Sequence, residues 1–309
     1  MTNALVTGAA GFIGSHFVDE LLARGYTVWG LDDLSTGNRE NLDSAMVHDS
    51  FTFVTGDIRD TERLSTVLDE VDVVFHQAAV ASVRQSFETP SSVASVNCTG
   101  TSTLFEVAAE TGVETIVVAS SAAVYGSGGE LPKREDMPVN PESPYALSKY
   151  YTEQAALQLG EQYGINATAL RYFNVFGPRQ DPAGAYAAVI PKFIDLLLDG
   201  DQPVIFGDGK QTRDFIFVKD VVRAALAAVE AEKTGVFNIA SGNRISINDL
   251  VYELNGILET DIEPVYEEPR PGDIRHSKAD VSKAQEAFGY DTEMPFKQGL
   301  KETVAWFDT

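Results

Sequence analysis

The stretch ALVTGAAGFIGSHFVDELLARG, Ala4–Gly25, decides the fold of this chain. A short apolar run predicts a strand, and a helical pattern begins at Phe12. Between them Gly8, Gly11 and Gly14 permit a tight turn and a close approach of the backbone to a pyrophosphate. The helix start would add amide donors and a favourable dipole for that anion. The succession of strand, glycine turn and helix therefore predicts a dinucleotide site.

A carboxylate ends the second predicted strand, Thr27–Asp32. Such a carboxylate can bind a ribose diol and would repel a 2′-phosphate, which favours NAD over NADP. The third strand ends in TGDIRD, where Asp57 and Ile58 could flank the adenine. Aspartates that only form strand ends or surface turns are the alternative at both places.

Short apolar runs alternate with helical patterns through the first half of the chain. This alternation is typical of an α/β fold of the Rossmann type, a doubly wound parallel sheet with helices on both faces. The predicted strands are Ala4–Thr7, Thr27–Asp32, Phe51–Thr55, Val73–Gln77, Thr115–Ala119 and Ala167–Arg171. The predicted helices are Phe12–Arg24, Thr61–Leu68, Pro90–Glu110 and Pro144–Tyr163.

Beyond Asn174 the loops become longer and richer in proline and glycine. Helical patterns continue at Ala187–Leu198, Val218–Ala231, Ile247–Leu258 and Val281–Phe288. We predict an NAD-binding domain in residues 1–173 and a smaller α/β substrate-binding lobe in residues 174–309. The segment of about 214–240 is expected to return to the first domain.

Two motifs bring acid–base side chains to the same edge of the predicted sheet. VVASSAAVYG places Ser120 and Ser121 after the fifth strand, and SPYALSKYY places Tyr145 and Lys149 four residues apart at a helix start. Ligands of open parallel sheets bind beyond the carboxyl ends of the strands. A phenol with a pKa of about 10 becomes a useful base only where a nearby cation stabilises its phenolate. A serine turn, a core tyrosine and a solvated lysine are the separate alternatives.

Composition excludes several classes of partner. The chain has 309 residues, 46 acidic and 23 basic, and a net charge of −23, which argues against nucleic acid or an anionic membrane. We interpret the charge as the composition of a salt-adapted protein. No apolar run is long enough for a membrane span, and the strand pattern begins at the N-terminus without an export leader. The single cysteine, Cys98, fits a reducing cytoplasm.

The chain resembles the extended short-chain dehydrogenase/reductase family, and within it the UDP-N-acetylglucosamine and other nucleotide-sugar 4-epimerases. The resemblance covers essentially the whole sequence. It is carried by TGAAGFIGSH, TGDIRD, HQAAVASV, SSAAVYG, SPYALSKY, LRYFNVFGPRQDPAGAYAAVIPKF, FGDGKQTRDFIFVKDVV, GVFNIASG and RPGDIRHSKAD. The last strings are the most specific.

The resemblance implies a tightly held NAD and a catalytic set of Ser121, Tyr145 and Lys149. Tyr145 would take the proton of the sugar 4-hydroxyl, Lys149 would lower the pKa of Tyr145, and Ser121 would hold the hydroxyl. The implied cofactor-binding residues are Gly8, Gly11, Phe12, Ile13, Gly14, Asp32, Asp57, Ile58, Tyr145 and Lys149. Related dehydratases and decarboxylases carry acidic residues at the positions of Ala122 and Ala123, so simple epimerisation is favoured here.

The resemblance also implies a UDP-sugar site. Its implied members are Ser82, Ser120, Ser121, Tyr145, Asn174, Gln180, Arg213, Arg270 and Ser277. Ser277 matches a gate position where a small residue admits a 2-acetamido group and tyrosine excludes it. No cation for a carboxylated sugar is identifiable from the sequence, and no metal site is predicted. His76 is interpreted as a satisfied strand histidine.

The sequence therefore predicts a cytoplasmic, homodimeric, NAD-dependent 4-epimerase of UDP-N-acetylglucosamine and UDP-N-acetylgalactosamine. UDP-glucose/UDP-galactose and UDP-glucuronate epimerisation are the alternatives within enzymes. A non-catalytic dinucleotide sensor on the same fold is the alternative outside them. The dimer is inferred from similar proteins, in which helices equivalent to Thr99–Thr111 and Lys149–Tyr163 form a four-helix bundle.

Overall fold

A parallel sheet of seven strands forms the centre of the molecule. The computed structural model describes residues 2–182, 188–269 and 274–308. The sheet strands are β1 Asn3–Thr7, β2 Thr27–Asp32, β3 Phe51–Thr55, β4 Val73–His76, β5 Thr115–Ser121, β6 Asn166–Tyr172 and β11 Gly235–Ile239. Their spatial order is β11-β6-β5-β4-β1-β2-β3. The strand order reverses between β1 and β4, which is where doubly wound folds bind their ligands. The predicted α/β class of Rossmann type is confirmed.

Helices cover both faces of this sheet. They are α1 Phe12–Ala23, α2 Asp43–Met46, α3 Thr61–Leu68, α4 Val83–Glu88, α5 Pro90–Ala94, α6 Gly100–Thr111 and α7 Pro144–Tyr163, with 3₁₀ turns at Arg39–Leu42 and Ala122–Tyr125. The cap of α7 matches the sequence signals, since Pro144 opens the helix and the Ser143 side chain accepts a hydrogen bond from the Ala146 amide. This start fixes where Tyr145 enters the helix.

The predicted helix Pro90–Glu110 is interrupted in the structure. A π-helical turn, Ser95–Thr99, separates α5 from α6. The Asn97 carboxamide leaves the helix surface, bonds to both backbone groups of Val80, and donates to the Ser148 hydroxyl. Such turns are frequent at functional sites. Here the turn ties the loop after β4 to helix α7.

The second half forms a smaller lobe on short paired strands. These are β7 Asn174–Phe176 with β10 Phe215–Phe217, β9 Thr212–Arg213 with β12 Ile245–Ser246, and β8 Val204–Phe206 with β13 Val265–Glu267. The helices of this half are α8 Val189–Leu198, α9 Val218–Glu230, α10 Ile247–Leu258, α11 Ser282–Phe288 and α12 Phe296–Phe307. Strand β11 pairs in parallel with β6, and α9 packs against α1, so part of this half lies on the central sheet.

Three buried clusters hold these layers together. The first two lie on either face of the sheet and include Phe17, Phe75 and Phe105. The third fills the smaller lobe, where Phe176, Phe215 and the aromatic rings near them pack edge to face or stacked. Burial of such rings supplies most of the stabilisation of a layered fold. None of the helices among the described residues is long and apolar enough to span a membrane.

Candidate active site

The glycine turn between β1 and α1 is packed so closely that side chains are excluded. Gly8 has a φ of +67°, and a Cβ there would lie 2.8 Å from the Ala78 nitrogen. A Cβ on Gly14 would lie 2.0 Å from the Gly8 carbonyl oxygen. The turn therefore needs glycine for conformation at Gly8 and for space at Gly14. The result is an open concave surface lined by Gly8, Gly11, Phe12, Ile13 and Gly14.

Asp32 lies at the end of β2 beside this turn. Its carboxylate accepts hydrogen bonds from the Ala10 amide at 2.9 Å and from the Leu34 amide at 2.8 Å. Burial raises the pKa of Asp32, and the two amide bonds counteract that rise. Each carboxylate oxygen keeps a free lone pair for another donor. Asp32 lines a cavity of about 110 Å³ together with Ile58, Gly8 and Gly11.

Asp57 differs from its neighbour Ile58. The Asp57 carboxylate accepts hydrogen bonds from the amide and the guanidinium of Arg59, which hold its pKa below the usual range. Asp57 does not line this cavity, whereas Ile58 does. The sequence reasoning placed the two residues together, but the chain turns here after β3, and the Asp57 carboxylate is held by Arg59 while Ile58 lines the cavity.

Helix α7 and strand β5 are joined at three consecutive strand residues. The Lys149 ammonium donates to the Ala119 carbonyl at 2.9 Å. The Ser120 hydroxyl donates to the Glu153 carboxylate. A hydrogen bond also joins the side chains of Ser121 and Tyr145. Because 145, 149 and 153 are spaced by four, they lie on one helix face, which is the face turned to β5.

The Ser120 side chain is part of a buried, hydrogen-bonded cluster. Its hydroxyl belongs to a buried cluster in which the Arg171 guanidinium binds both carboxylate oxygens of Glu153 at 2.8 Å. The cluster is almost completely shielded from solvent, with Glu153 0% and Arg171 4% exposed. An ion pair buried to this degree needs its partners complete, since an uncompensated charge there is costly. Ser120 also lines the first cavity, while its hydroxyl is bound to the Glu153 carboxylate.

Burial is the largest influence on the pKa values of Tyr145 and Lys149. Burial raises the pKa of Tyr145, and the hydrogen bond with Ser121 partly lowers it. Burial lowers the pKa of the Lys149 ammonium to about 8. The sequence reasoning expected Lys149 to lower the pKa of Tyr145, but burial and the Ser121 side chain are what act on it here, and the Lys149 ammonium donates to the Ala119 carbonyl. Desolvation of the phenolate is the larger effect in the protein alone.

Two large cavities meet at Tyr145. One, of about 370 Å³, contains the glycine turn, Lys149 and Gln180. The other, of about 400 Å³, contains Asn174, Arg213 and Ser277. Both volumes lie in the range of roughly 300–1,000 Å³ that is typical of ligand sites. The walls common to both cavities are Ser121, Tyr145, Tyr172 and Phe173. A ligand in either cavity therefore contacts the same phenol.

The second cavity is assembled from distant segments of the chain. The Arg213 guanidinium donates to the carbonyls of Thr212 and Ile274, at 3.0 and 2.6 Å, and so is held at the cavity wall. The Ser277 amide donates to the Thr212 carbonyl at 3.0 Å. The small side chain of Ser277 leaves this wall open. Ala122 and Ala123 line the same cavity, so no carboxylate stands next to Ser121 there.

The remaining predicted site residues occupy different places. The Ser82 hydroxyl accepts from the Gln85 amide at 3.1 Å and caps helix α4, between two cavity-lining neighbours. Gln180 lines the first cavity and donates to the Val175 carbonyl at 3.3 Å. Arg270 lies outside the described residues. His76 bonds to the hydroxyls of Thr7 and Thr101, which confirms its interpretation as a satisfied strand histidine.

Several site residues were not found by sequence reasoning. Tyr172 and Gln77 line the first cavity with buried polar atoms that lack a hydrogen bond of standard geometry among the described residues. Lys133 lines the second cavity. The signal for Gln77 was present, since it follows β4 directly at the edge where ligands bind. Lys133 lies in a loop of ordinary polar composition, and nothing local marks it.

The first cavity and its neighbour fit a dinucleotide. The glycine turn carries no side chain above the start of α1, so its backbone is open to a ligand in the first cavity. The Asp32 carboxylate suits a ribose diol, and the buried Gln77 carboxamide offers a donor and an acceptor to a polar ligand. Lys149 adds a cation at the far end of the first cavity. These residues match what NAD requires.

Comparison with known proteins agrees with this geometry. The model of the NAD dependent epimerase/dehydratase family matches residues 4–240. The UDP-glucose 4-epimerase of Mycolicibacterium smegmatis is 43% identical over 307 residues, covering 98% of this chain and 97% of that protein.

Two solved structures are similar over nearly their whole length. The UDP-N-acetylglucosamine 4-epimerase from Methanobrevibacter ruminantium M1, in complex with UDP-N-acetylmuramic acid, has a TM-score of 0.95 and 42% identity, covering 99% of this chain and 98% of that chain. The UDP-glucuronic acid 4-epimerase from Bacillus cereus, in complex with UDP-glucuronic acid and NAD, has a TM-score of 0.92 and 32% identity, covering 99% of both chains.

Proposed function

The chain belongs to the NAD-dependent epimerase/dehydratase family as a UDP-sugar 4-epimerase, and on that premise we propose that it favours UDP-N-acetylglucosamine and UDP-N-acetylgalactosamine. One observation supports the 4-epimerase chemistry, and the sugar preference is argued separately below. The Tyr145 phenol, hydrogen-bonded to Ser121, stands in the wall shared by the cofactor cavity and the sugar cavity. A base in that wall reaches a sugar hydroxyl on one side while a cofactor lies on the other.

The cofactor is held by the first half of the chain. Gly8, Gly11 and the start of α1 would bind its pyrophosphate, and Asp32 would bind the adenosine ribose. Lys149 would bind the ribose at the other end. Bound there in its oxidised form, NAD would supply a reversible two-electron acceptor for carbon 4 of the sugar and a positive charge that favours the Tyr145 phenolate. That charge would act against the burial that raises the pKa of Tyr145 in the protein alone.

The protein's own residues move the proton. Tyr145 removes the proton of the 4-hydroxyl, and Ser121 holds that hydroxyl through its own. Tyr145 returns the proton after the planar 4-keto sugar has turned about its phosphate linkage. General acid–base catalysis of this kind contributes roughly 10²–10⁴-fold. Ala122 and Ala123 give the cavity no second acid or base beside Ser121, so elimination beyond carbon 4 is not supported.

The sugar nucleotide is held by the second half of the chain. Arg213 and Asn174 lie where a diphosphate would follow the hexose, and a guanidinium forms a suitable fork of donors for phosphate. Ser277 lies in the same wall as Arg213 and is small enough to leave space for a 2-acetamido group. N-acetylated hexoses are therefore proposed ahead of glucose and glucuronate, which lack the 2-acetamido group.

One panel of assays tests the proposal. The purified protein is supplied with UDP-N-acetylglucosamine, UDP-glucose and UDP-glucuronate, and the products are separated chromatographically. We expect the highest kcat/KM for the N-acetylated substrate. A higher value for UDP-glucose or UDP-glucuronate would refute the preference. NAD released on denaturation without turnover of any UDP-sugar would instead indicate a dinucleotide sensor.

The homodimer is part of the same proposal. Helices α6 and α7 pack against each other, and α7 exposes Leu147 (59%) and Tyr151 (42%) at the surface. Exposed apolar side chains on α7, beside the packed helix α6, suit a four-helix contact with a second copy. Light scattering on the purified protein tests it, since a monomeric mass contradicts the dimer.

A further inference from the structure

A lysine ammonium stands in the wall of the sugar cavity without a carboxylate partner. Lys133 lines this cavity together with Ser121, Tyr145 and Ser277. No ion pair among the described residues includes Lys133, although the chain has twice as many acidic as basic residues. What distinguishes Lys133 from the other lysines without an ion pair is its place in the wall of the sugar cavity, where its charge can act on an anionic group of a ligand.

The backbone of Lys133 is fixed on both sides. Its amide donates to the Lys278 carbonyl at 2.8 Å, and its carbonyl accepts from the Asp280 amide at 2.8 Å and from the Asn238 carboxamide at 2.9 Å. The segment 278–280 follows Ser277 directly. Lys133 is therefore anchored beside the part of the wall that faces the hexose, while Arg213 and Asn174 serve the diphosphate.

The ammonium itself is only partly satisfied. It donates one hydrogen bond to the Gly128 carbonyl and lies 5.8 Å from the centre of the Tyr125 ring. An ammonium has three donors, so two remain. The carboxylate of Glu142 near this loop is already bound to the amide and hydroxyl of Ser127 and to the Asn140 carboxamide. The Glu135 carboxylate accepts from the Asn238 amide.

We propose that Lys133 is a specificity residue that binds a carboxylate carried on the hexose of the UDP-sugar. The proposal rests on the UDP-sugar site proposed above and adds a class of substrate to it. A hexose that carries both an acetamido group and a carboxylate meets Ser277 and Lys133 in one cavity. Two positions of the carboxylate fit this chemistry: carbon 6 of the hexose, or an acid attached through one of the hydroxyl oxygens of the hexose.

Binding titrations on the NAD-loaded protein test the proposal. The ligands are UDP, UDP-N-acetylglucosamine, UDP-glucuronate and UDP-N-acetylmuramic acid, and the variants are Lys133→Gln and Lys133→Arg. Lys278→Gln is the matched control, because it removes the same charge from the neighbouring segment and does not line the cavity. Lys133→Gln removes a charge-assisted hydrogen bond, so the affinity for a carboxylated ligand is expected to fall about tenfold.

The pattern across ligands decides the outcome. If Lys133→Gln weakens the binding of UDP-glucuronate alone, Lys133 binds a carboxylate at carbon 6. If it weakens the binding of UDP-N-acetylmuramic acid alone, Lys133 binds the oxygen-linked acid. Either result supports the proposal. Lys133→Arg should retain most of the affinity, and Lys278→Gln should change none. Equal weakening of all four ligands, UDP included, would assign Lys133 to the diphosphate and overturn the proposal, as would unchanged binding of both acids. Absent binding of UDP itself would refute the UDP-sugar site as a whole.

Discussion

The two halves of the active site are built on different principles. The cofactor half is made by neighbouring strand ends of one sheet, and its glycine turn is complete within a single stretch of sequence. The sugar half is assembled from six segments far apart in the chain, at 83, 121–133, 145, 172–174, 213 and 274–277. Tyr145 stands where the halves meet. The first half therefore depends on local backbone geometry, and the second depends on tertiary contacts.

The contacts that hold the sugar half converge on Asp214. This carboxylate accepts hydrogen bonds from the amide and hydroxyl of Ser241 and from the Ala279 amide, at 2.7 to 3.0 Å. It is fully buried. Asp214 thereby fixes the segment that carries Ser277 next to Arg213. The corresponding fixed point of the cofactor half is the backbone contact of Gly14 with Gly8.

The largest effect is expected at the junction itself. Tyr145→Phe removes the base from both halves, so turnover of every UDP-sugar should fall by about 100-fold or more. NAD should stay bound, because the ring and Lys149 remain in the first cavity. An epimerase assay with measurement of released NAD tests this. Tyr163→Phe, at the exposed end of the same helix, is the matched control. Turnover near that of the control would refute the assignment of Tyr145 as base.

The next largest effect is expected from a substitution that disrupts the cofactor half alone. Gly14→Ala would place a Cβ 2.0 Å from the Gly8 carbonyl oxygen, so the free energy of unfolding should fall by about 2 kcal/mol or more. Bound NAD should be lost as the turn opens. Gly256→Ala is the control, since no heavy atom lies within 4 Å of the added carbon in that helix. Urea unfolding and cofactor content measure both. Equal stability of the two variants would contradict the close approach.

A smaller effect is expected in the sugar half, and it depends on pH. Burial raises the pKa of Asp214 from 3.8 to about 6, so the folded chain keeps a proton that the unfolded chain has released between these values. The contribution of Asp214 to stability is therefore present at low pH and is lost as pH rises through about 6. The unfolding free energy of the wild type, relative to Asp214→Asn, should fall by about 1 kcal/mol between pH 5 and pH 7.

Urea unfolding at several pH values measures this difference. The asparagine variant should also be less stable throughout, because its amide cannot accept the bonds from Ser241 and Ala279 on both sides. Asp199→Asn, at an exposed helix end, controls for the loss of one negative charge. If the unfolding free energy of the wild type minus that of Asp214→Asn rises with pH instead, the folded state favours the ionised Asp214 carboxylate, which would contradict the prediction.

The smallest effect concerns the choice of sugar. Ser277→Tyr fills the wall of the sugar cavity, so kcat/KM for UDP-N-acetylglucosamine should fall several-fold more than for UDP-glucose. The cause is steric, since the added ring would occupy the space left for the acetamido group. Ser277→Ala, which keeps the wall open, should retain the ratio of the two substrates. Parallel losses for both sugars in the tyrosine variant would dismiss the gate.

Local signals predicted the first half almost residue by residue. Strands β2 and β3 and helices α3 and α7 have the predicted bounds. Alternating apolar runs, the glycine turn and the Ser143–Pro144 cap act within a few residues, so a sequence pattern captures them. The interruption of the helix around Asn97 was missed. Its cause is a set of hydrogen bonds to Val80 and Ser148, which lie far away in the sequence.

The structure also separated residues that sequence position had grouped. Ser120 and Ser121 are neighbours, yet the strand turns one hydroxyl to Glu153 and the other to Tyr145. Asp57 is bound to Arg59, while Ile58 lines the cofactor cavity. The sequence-based search for a cation near the sugar found none, but Lys133 lines that cavity through contacts with residues 278–280.

The sequence by itself determined the sheet, the glycine turn, the acidic end of β2 and the helix that carries Tyr145 and Lys149, because each depends on side-chain periodicity and backbone geometry within one short segment. Only the tertiary structure decided which serine hydroxyl bonds to Glu153, where Lys133 lies, and how strongly burial acts on the pKa of Tyr145. Those properties arise from contacts and desolvation between segments that are remote in the chain, and no local pattern encodes them.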